Sequence, residues 1–302
     1  MAESLDKSGG NLTIPEVSVV IPVYNEQDSI VITIETIDEI LQGIEIVYEI
    51  IVVDDGSSDN TPQLLNELHS RYPHLVVCTQ ETNLGYGAAL KAGIARSTFD
   101  RILIIDADQT YPAAAIPLLL QWAGKFDMVV GSREGANVQI PWVRRPAKFL
   151  LNRLAQFLSG RRIPDLNSGL RVFIKRIARK FVHMLPDGFS FTSTLTLIAI
   201  HEGYTLHYIP ISYFKRNGKS KIKPVRDTLN FLELIIKTIL YVNPLRIFLP
   251  ASIFFFTLSS ILFFIKMVFG PRFIVSILVT FICGFELLVV GMLADFIDKR
   301  LR

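Results

Sequence analysis

Two aspartates two positions apart, Asp106 and Asp108, close an aliphatic run in "RILIIDADQTYP" (Arg101 to Pro112). A buried strand has no use for two charges at its end, so the pair either turns in solvent or anchors something positive. Carboxylates at this spacing can share one hard divalent cation, Mg²⁺ or Mn²⁺, which takes oxygen ligands and usually shares them with a phosphate substrate. A second segment suits the same phosphate. In "KRNGKSKIKPVR" (Lys215 to Arg226) six of twelve residues are basic and none is acidic. Such a run can clamp a diphosphate or meet anionic lipid headgroups.

These residues need a frame. "VSVVIPV" (Val17 to Val23), "YEIIVVD" (Tyr48 to Asp54), "RILIID" (Arg101 to Asp106) and "DMVVGS" (Asp127 to Ser132) are short and β-branched and read as strands, with "HLVVC" a weaker fifth. Between them lie helical stretches: Ser29 to Gln42 with Ile30, Ile34, Ile37 and Leu41 on one face, then Thr61 to Arg71, then Ala88 to Arg96. Strands apolar on both faces and alternating with helices predict a mostly parallel sheet with helices on both faces. Such sheets hold ligands beyond the carboxyl ends of their strands. There the polar clusters "PVYNEQ" (Pro22 to Gln27), "DDGSSDNT" (Asp54 to Thr61) and "DADQ" (Asp106 to Gln109) converge. Taken singly, "DDGSSDNT" is also a good turn with Asp59 or Thr61 as a helix cap.

Bulk properties narrow the partners. Across 302 residues, 31 Lys plus Arg stand against 28 Asp plus Glu, too even for nucleic acid as the main partner. Cys78 and Cys283 lie far apart in apolar segments, which predicts no disulfide and a reducing environment. The five histidines show no ligand spacing. "MAESLDKSGGNLTIPE" has no apolar core behind positive charge, so it does not read as a secretory signal, and the N-terminal part is expected in the cytosol.

The C-terminal part differs. Ile247 to Ile265 carries no charge, and Glu286 alone interrupts Phe273 to Ala294. At about 1.5 Å per residue the two runs reach roughly 28 and 33 Å, each enough to cross a bilayer. "KMVFGPR" between them is a short turn, so they read as a hairpin with both ends in the cytosol. The alternative is a pair of core helices in a soluble protein. Glu286 at mid-span predicts a protonated carboxyl or one bonded to Ser or Thr of a neighbouring span, within a homo-oligomer. "VRDTLNFLELIIKTILYV" (Val225 to Val242) suits a helix lying in the interface, or a connecting core helix.

In order, "SVVIPVYNE", "EIIVVDDGSSDNT", "NLGYGAALKAG", "DADQTYP", "VVGSR", "DLNSGLRVF", "YIPISYFKRNGKSKI" and the hairpin resemble the family 2 glycosyltransferases, in the branch that glycosylates polyprenyl phosphates such as dolichyl or undecaprenyl phosphate. The resemblance spans about Val17 to Lys223. It implies a GT-A fold, a nucleotide-sugar donor, Mg²⁺ or Mn²⁺, and a lipid phosphate acceptor. It divides the chain into a polar tail (1–15), a catalytic domain (16–214), a basic loop with a juxtamembrane helix (215–244) and a transmembrane hairpin (245–302). By position, Pro22, Tyr24, Glu26, Asp54 and Asp55 would hold the nucleoside. Asp106 and Asp108 would serve the metal and diphosphate. Arg133, Arg216, Ser220 and Lys221 resemble residues that grip donor and acceptor phosphates. Asp165, Ser168 and Arg171 would shape the acceptor side, with help from Arg144 or Arg145.

Two positions depart from the family pattern. Many relatives carry a metal-binding glutamine two residues after the second aspartate; here Gln109 follows directly and Thr110 takes that slot, so either can approach the metal. Many also carry a glutamate in the helix after the "SG.R" motif, where this chain has Thr194 and Thr196. No carboxylate base is therefore assigned there. None is needed for a phosphate acceptor already ionised near neutral pH.

Other classes fit less well. "GYGAAL" lacks the third glycine of a dinucleotide fingerprint and stands apart from the preceding strand. A processive polysaccharide synthase would carry a Q-x-x-R-W motif. A non-catalytic membrane-anchored scaffold that binds nucleotide sugars, or a family 2 enzyme for another lipid acceptor, remains the alternative.

Overall fold

The computed structural model describes residues 14–134, 163–214, 244–270 and 273–301. They fall into two compact units, one holding the first two of these stretches and the other the last two.

In the first unit, β1 (Val17–Val23) is buried along its whole length, which is why it reads as an unbroken apolar run. It is the third strand of a seven-stranded sheet of order β3-β2-β1-β4-β6-β5-β7, between β2 and β4. The other strands are β2 (Tyr48–Asp54), β3 (Leu75–Thr79), β4 (Arg101–Ile104), β5 (Met128–Ser132), β6 (Arg171–Ile174) and β7 (Leu206–Pro210). All pairings are parallel except those of β6 with β4 and β5. The mostly parallel sheet follows the alternation of the sequence, but β6 and β7 were not predicted. β6 is four residues long and takes its place by pairing on both sides, a long-range property that local pattern does not carry.

Helices cover both faces. On one, α1 (Ile30–Gly43) buries Ile30, Ile34, Ile37 and Leu41 beside α2 (Thr61–Arg71) and α4 (Ile116–Ala123). Each such side chain contributes roughly 1.5–3 kcal/mol by leaving water. The other face takes α3 (Tyr86–Arg96), α5 (Lys175–Lys180) and α6 (Phe191–His201). α3 lies tight on the sheet: a Cβ on Gly93 would stand 2.4 Å from Val20 Cγ1.

In this unit two boundaries differ from expectation by two residues, the others by at most one. β4 stops at Ile104, which leaves Ile105 to Asp108 as a loop beyond the strand, and α3 begins at Tyr86 rather than Ala88. Both cysteines are free.

The second unit is a pair of apolar helices, α7 (Leu245–Phe269) and α8 (Ile274–Leu301). Small residues let them approach: Ser252 Oγ donates to the Gly284 carbonyl (2.8 Å) and Ser259 Oγ to that of Ile277 (3.1 Å), and Gly291 sits against Phe248. Ile247–Val268 and Ile274–Ile297 are long and apolar enough to cross a membrane, and 11% of each central window is buried. Core helices of a soluble protein would be mostly buried. Glu286 is exposed on the outer surface of the pair. Among the described residues, the hydroxyls of Ser252, Thr257, Ser259, Ser260 and Thr280 donate to backbone carbonyls.

Candidate functional site

The carboxyl ends of β1, β2 and β4 lie side by side, since Val23 pairs with Asp54 and Val20 with Ile104. β6 runs the other way, so its first residue, Arg171, meets Ile104 and the loop 165–170 arrives at the same edge. β5 and β7 end there too, at Ser132 and Pro210. The predicted acidic clusters are thus neighbours, joined by two loops that the sequence pattern did not place.

Hydrogen bonds lock the first two clusters together. Asn25, Glu26 and Gln27 donate their backbone N–H groups to Ser57 Oγ (2.8 Å), Thr61 Oγ1 (3.1 Å) and Asp59 Oδ2 (3.3 Å). In return Asn25 Oδ1 accepts from Ser58 N and Gln27 Oε1 from Asn60 N. The polar residues of "DDGSSDNT" therefore brace the loop carrying Tyr24 and Glu26, and Asp59 Oδ1 also accepts from Thr61 N (3.0 Å) where α2 begins, although the N-cap position itself is Asn60 and makes no side-chain cap bond. Pro22 is buried in β1.

The paired acids Asp54 and Asp55 separate in role. Both are buried. Asp54 Oδ1 accepts from Ser57 N (3.0 Å), while its Oδ2 is buried with no hydrogen-bond partner among the described residues. A buried carboxylate oxygen left so is costly unless a ligand supplies a donor. Asp55 is spent on structure: its two oxygens accept from Leu84 N (2.8 Å) and Gly85 N (2.9 Å). It thereby holds the loop before α3.

Asp106 and Asp108 stand on the loop beyond β4, both half-buried. Tyr86 Oη donates to Asp106 Oδ1 (2.9 Å). Burial, and then the charge of Asp106, push the Tyr86 phenol well above its ordinary value, so it stays a donor. On the other side Gly169 leaves the room the carboxylate fills. Asp108 Oδ1 accepts from Thr110 N (3.2 Å) and Thr110 Oγ1 (2.6 Å). Of the two residues open as metal neighbours, buried Thr110 orients Asp108, while Gln109 is exposed with φ 57°.

Beneath this loop runs an aromatic layer. Gly169 N donates to Tyr111 Oη (2.7 Å), Tyr111 meets Tyr213 edge-on at 5.2 Å, and the Arg133 guanidinium lies 5.2 Å from the Tyr213 ring centre. Arg133 grips Asp165 with Nε (2.6 Å) and Nη2 (2.8 Å).

The residues expected on the acceptor side are load carriers of the fold. Asp165, Ser168 and Arg171 are fully buried. Ser168 Oγ donates to the Gly131 carbonyl. Arg171 donates to the carbonyls of Ser168 (2.6 Å) and Thr192 (2.8 Å) and to Thr196 Oγ1 (2.8 Å). Through these bonds they hold loop 165–170 in place. Thr194 and Thr196, in the helix where relatives carry a glutamate, are buried as well. Arg144, Arg145, Arg216, Ser220, Lys221, Lys223 and the stretch 225–242 lie outside the described residues. The last described residue before the basic segment, Phe214, donates its N–H to the Thr110 carbonyl (2.9 Å).

Sequence reasoning missed Tyr86, Tyr111, Gly169 and Tyr213. Their motifs were in view, but nothing in a motif says which distant aspartate a tyrosine touches.

The Glycosyl transferase family 2 profile matches residues 18–182, more than half of the chain. Among solved structures, glucosyl-3-phosphoglycerate synthase from Mycobacterium tuberculosis with Mn²⁺, UDP and phosphoglyceric acid superimposes with a TM-score of 0.57 at 18% identity, covering 74% of this chain and 78% of the other. The same enzyme with Mg²⁺ and UDP gives 0.56 at 19%, covering 74% and 79%. With Mn²⁺, UDP-glucose and phosphoglyceric acid it gives 0.56 at 19%, covering 74% and 80%. The likeness is one of fold: a GT-A-like, mostly parallel mixed sheet.

Proposed function

The chain belongs to glycosyl transferase family 2, and from that premise we propose that it moves a hexose from a nucleotide-sugar donor to a polyprenyl phosphate at the cytosolic face of a membrane. The observation that carries this reading is the shared edge of β1, β2 and β4, where Asp54, Asp106 and Asp108 stand beside the exit of the chain at Phe214 into the basic segment. The donor would lie along the edge, its base at Asp54 and its diphosphate at Asp106 and Asp108. Asp54 Oδ2 fits a nucleobase N–H, being a buried acceptor with no donor among the described residues. Tyr24 and Glu26 stand on the braced loop next to it. Arg133, held by Asp165, would act through the Tyr213–Tyr111 layer more than by direct grip.

A divalent cation fits Asp106 and Asp108 by the chemistry of the donor set. All-oxygen carboxylate ligands suit Mg²⁺ or Mn²⁺, which needs one or two protein carboxylates and completes its shell with phosphate and water. Gln109, exposed at the same loop, is a third oxygen. When bound, the ion would neutralise charge on the departing nucleoside diphosphate. The chain's own share is positional. Asp106 and Asp108 fix the diphosphate, Arg216, Ser220 and Lys221 meet the donor and acceptor phosphates from a segment that starts one hydrogen bond from the Asp108 loop, and the lipid phosphate attacks opposite the leaving group with inversion. The division into 16–214 as catalytic domain, 215–244 as basic loop and interfacial helix, and 245–302 as anchor belongs to the same reading.

Two apolar helices with outward-facing side chains support the membrane anchor, which brings the site to a headgroup confined to the surface and raises its effective concentration. The same helices favour a homo-oligomer. Val275, Val279, Ile282, Glu286, Val289 and Leu293 repeat at spacings of four and three, and all are exposed on α8. A carboxylate facing lipid costs about 2.5–3.5 kcal/mol if charged, so Glu286 would be protonated there and share hydrogen bonds with the carboxyl of a second copy.

Membranes carrying the protein, given labelled nucleotide sugars with polyprenyl phosphate or phosphoglyceric acid, test the reading. Transfer to the lipid that a chelator stops is expected. Transfer to phosphoglyceric acid alone would move the acceptor, and nucleotide-sugar binding without transfer would favour the scaffold. Asp108→Ala should abolish turnover with the fold intact; near-normal activity would overturn the metal role. Arg216→Ala should lose far more activity than Lys223→Ala, and equal losses would reduce the loop to a charged surface.

A further inference from the structure

We propose that Tyr86 is a positioning residue for the cation, its hydroxyl holding the Asp106 carboxylate in the orientation that binds metal and the loop 185–189 holding Tyr86 in turn. This rests on the metal reading above. An aspartate on a loop has two side-chain torsions to lose before it can serve as a ligand, so a fixed partner removes that cost in advance. Asp106 has such constraints on two sides: the phenol at 2.9 Å on Oδ1, and Gly169, where a Cβ would come within 2.9 Å of the same oxygen.

The phenol is itself anchored. Tyr86 opens α3, and the first turn of that helix is bolted to the loop before α6. The Asp187 carbonyl accepts from Gly87 N (2.7 Å) and Ala88 N (3.1 Å), and Lys91 Nζ reaches the Leu185 carbonyl (2.9 Å) and the Asp187 carboxylate (2.5 Å). A Cβ on Gly87 would stand 2.1 Å from the Pro186 carbonyl oxygen, so glycine is what permits this approach. From the same loop Phe189 stacks on the Tyr86 ring, 5.7 Å between centres and 24° between planes, while 64% of it stays exposed. An exposed phenylalanine contributes little by burial. Its stack narrows the positions the Tyr86 ring can take.

The test is Mn²⁺ binding by the purified full chain in detergent, read by electron paramagnetic resonance with saturating UDP or GDP, for wild type, Tyr86→Phe and Phe189→Ala. Tyr86→Phe keeps the ring and deletes the hydroxyl. Its Mn²⁺ dissociation constant should rise about tenfold or more, the usual effect of losing a partner behind a metal ligand. Its melting temperature in chelator should not move, and kcat should return at saturating Mn²⁺. Phe189→Ala, a surface change, should shift the same constant in the same direction by a smaller factor. Unchanged Mn²⁺ affinity in both variants overturns the proposal and leaves the metal reading standing. A wild type that binds no Mn²⁺ with either nucleotide removes the metal reading and this inference with it.

Discussion

The carboxylate of Asp106 lies where a side chain at position 169 would begin: a Cβ built on Gly169 would stand 2.5 Å from Oδ2 and 2.9 Å from Cγ. Gly169 is not among the residues with positive φ, so its backbone tolerates alanine and the strain must fall on the aspartate. Gly169→Ala should therefore cost about 1–3 kcal/mol of stability as an overpacked site, and Mn²⁺ binding should fall by at least tenfold. Metal titration beside circular dichroism separates the two. A folded variant with unaltered metal affinity would show that Asp106 does not need this place.

Asp165 carries the Arg133 charge in a buried pair, with side chains 1% and 15% exposed. Removing one member of such a pair leaves the other uncompensated, at about 3–5 kcal/mol. Asp165→Asn should lower the denaturant midpoint by a comparable loss. A change under about 1 kcal/mol would mean that water reaches the guanidinium.

Among the described residues, Asp54 presents one satisfied oxygen and one without a donor. Asp54→Asn keeps the acceptor for Ser57 N but replaces the charged acceptor proposed for the base. Nucleotide affinity should fall about tenfold, or about 1.4 kcal/mol, with stability unchanged or raised. Calorimetric titration with UDP and with GDP reads this directly.

His207 lies between Trp122, at 4.6 Å between ring centres, and Phe126, at 4.8 Å, and burial lowers its pKa. The folded state then binds its proton less readily than the unfolded state. The contribution is complete above the unfolded value of about 6.5 and is lost as pH falls through the lower folded value. Unfolding measured from pH 7.5 to 5 should show this loss in the wild type and a flatter profile in His207→Phe. Parallel profiles would exclude His207 as the source.

Glu286→Leu should reduce the oligomeric fraction in detergent if the exposed stripe of α8 meets a second copy. Light scattering that gives the same mass for both proteins, with equal activity, would end that part of the reading.

Much of the scaffold was legible. β1, β2 and α2 fall on the residues predicted for them, because apolar runs and 3.6-residue periodicity are local properties. The convergence of the acidic clusters was legible as well, since a parallel sheet sends all its carboxyl ends to one edge. What escaped was whatever depends on pairing across the chain. β6 enters antiparallel between β4 and β5, and that reversal delivers Gly169 to Asp106.

The same division holds for the site. The sequence alone determined which carboxylates stand at strand ends, the two long apolar helices, and the family. Tertiary structure decided what each polar residue is for. Asp55 accepts from two backbone N–H groups, Arg171 donates to backbone carbonyls and to Thr196 Oγ1, and Tyr86, which looks incidental in its motif, touches Asp106. The reason is physical: a buried polar group must find its partner wherever the fold brings one, and for Tyr86 and Asp55 that partner lies 20 and 29 to 30 residues away in the chain.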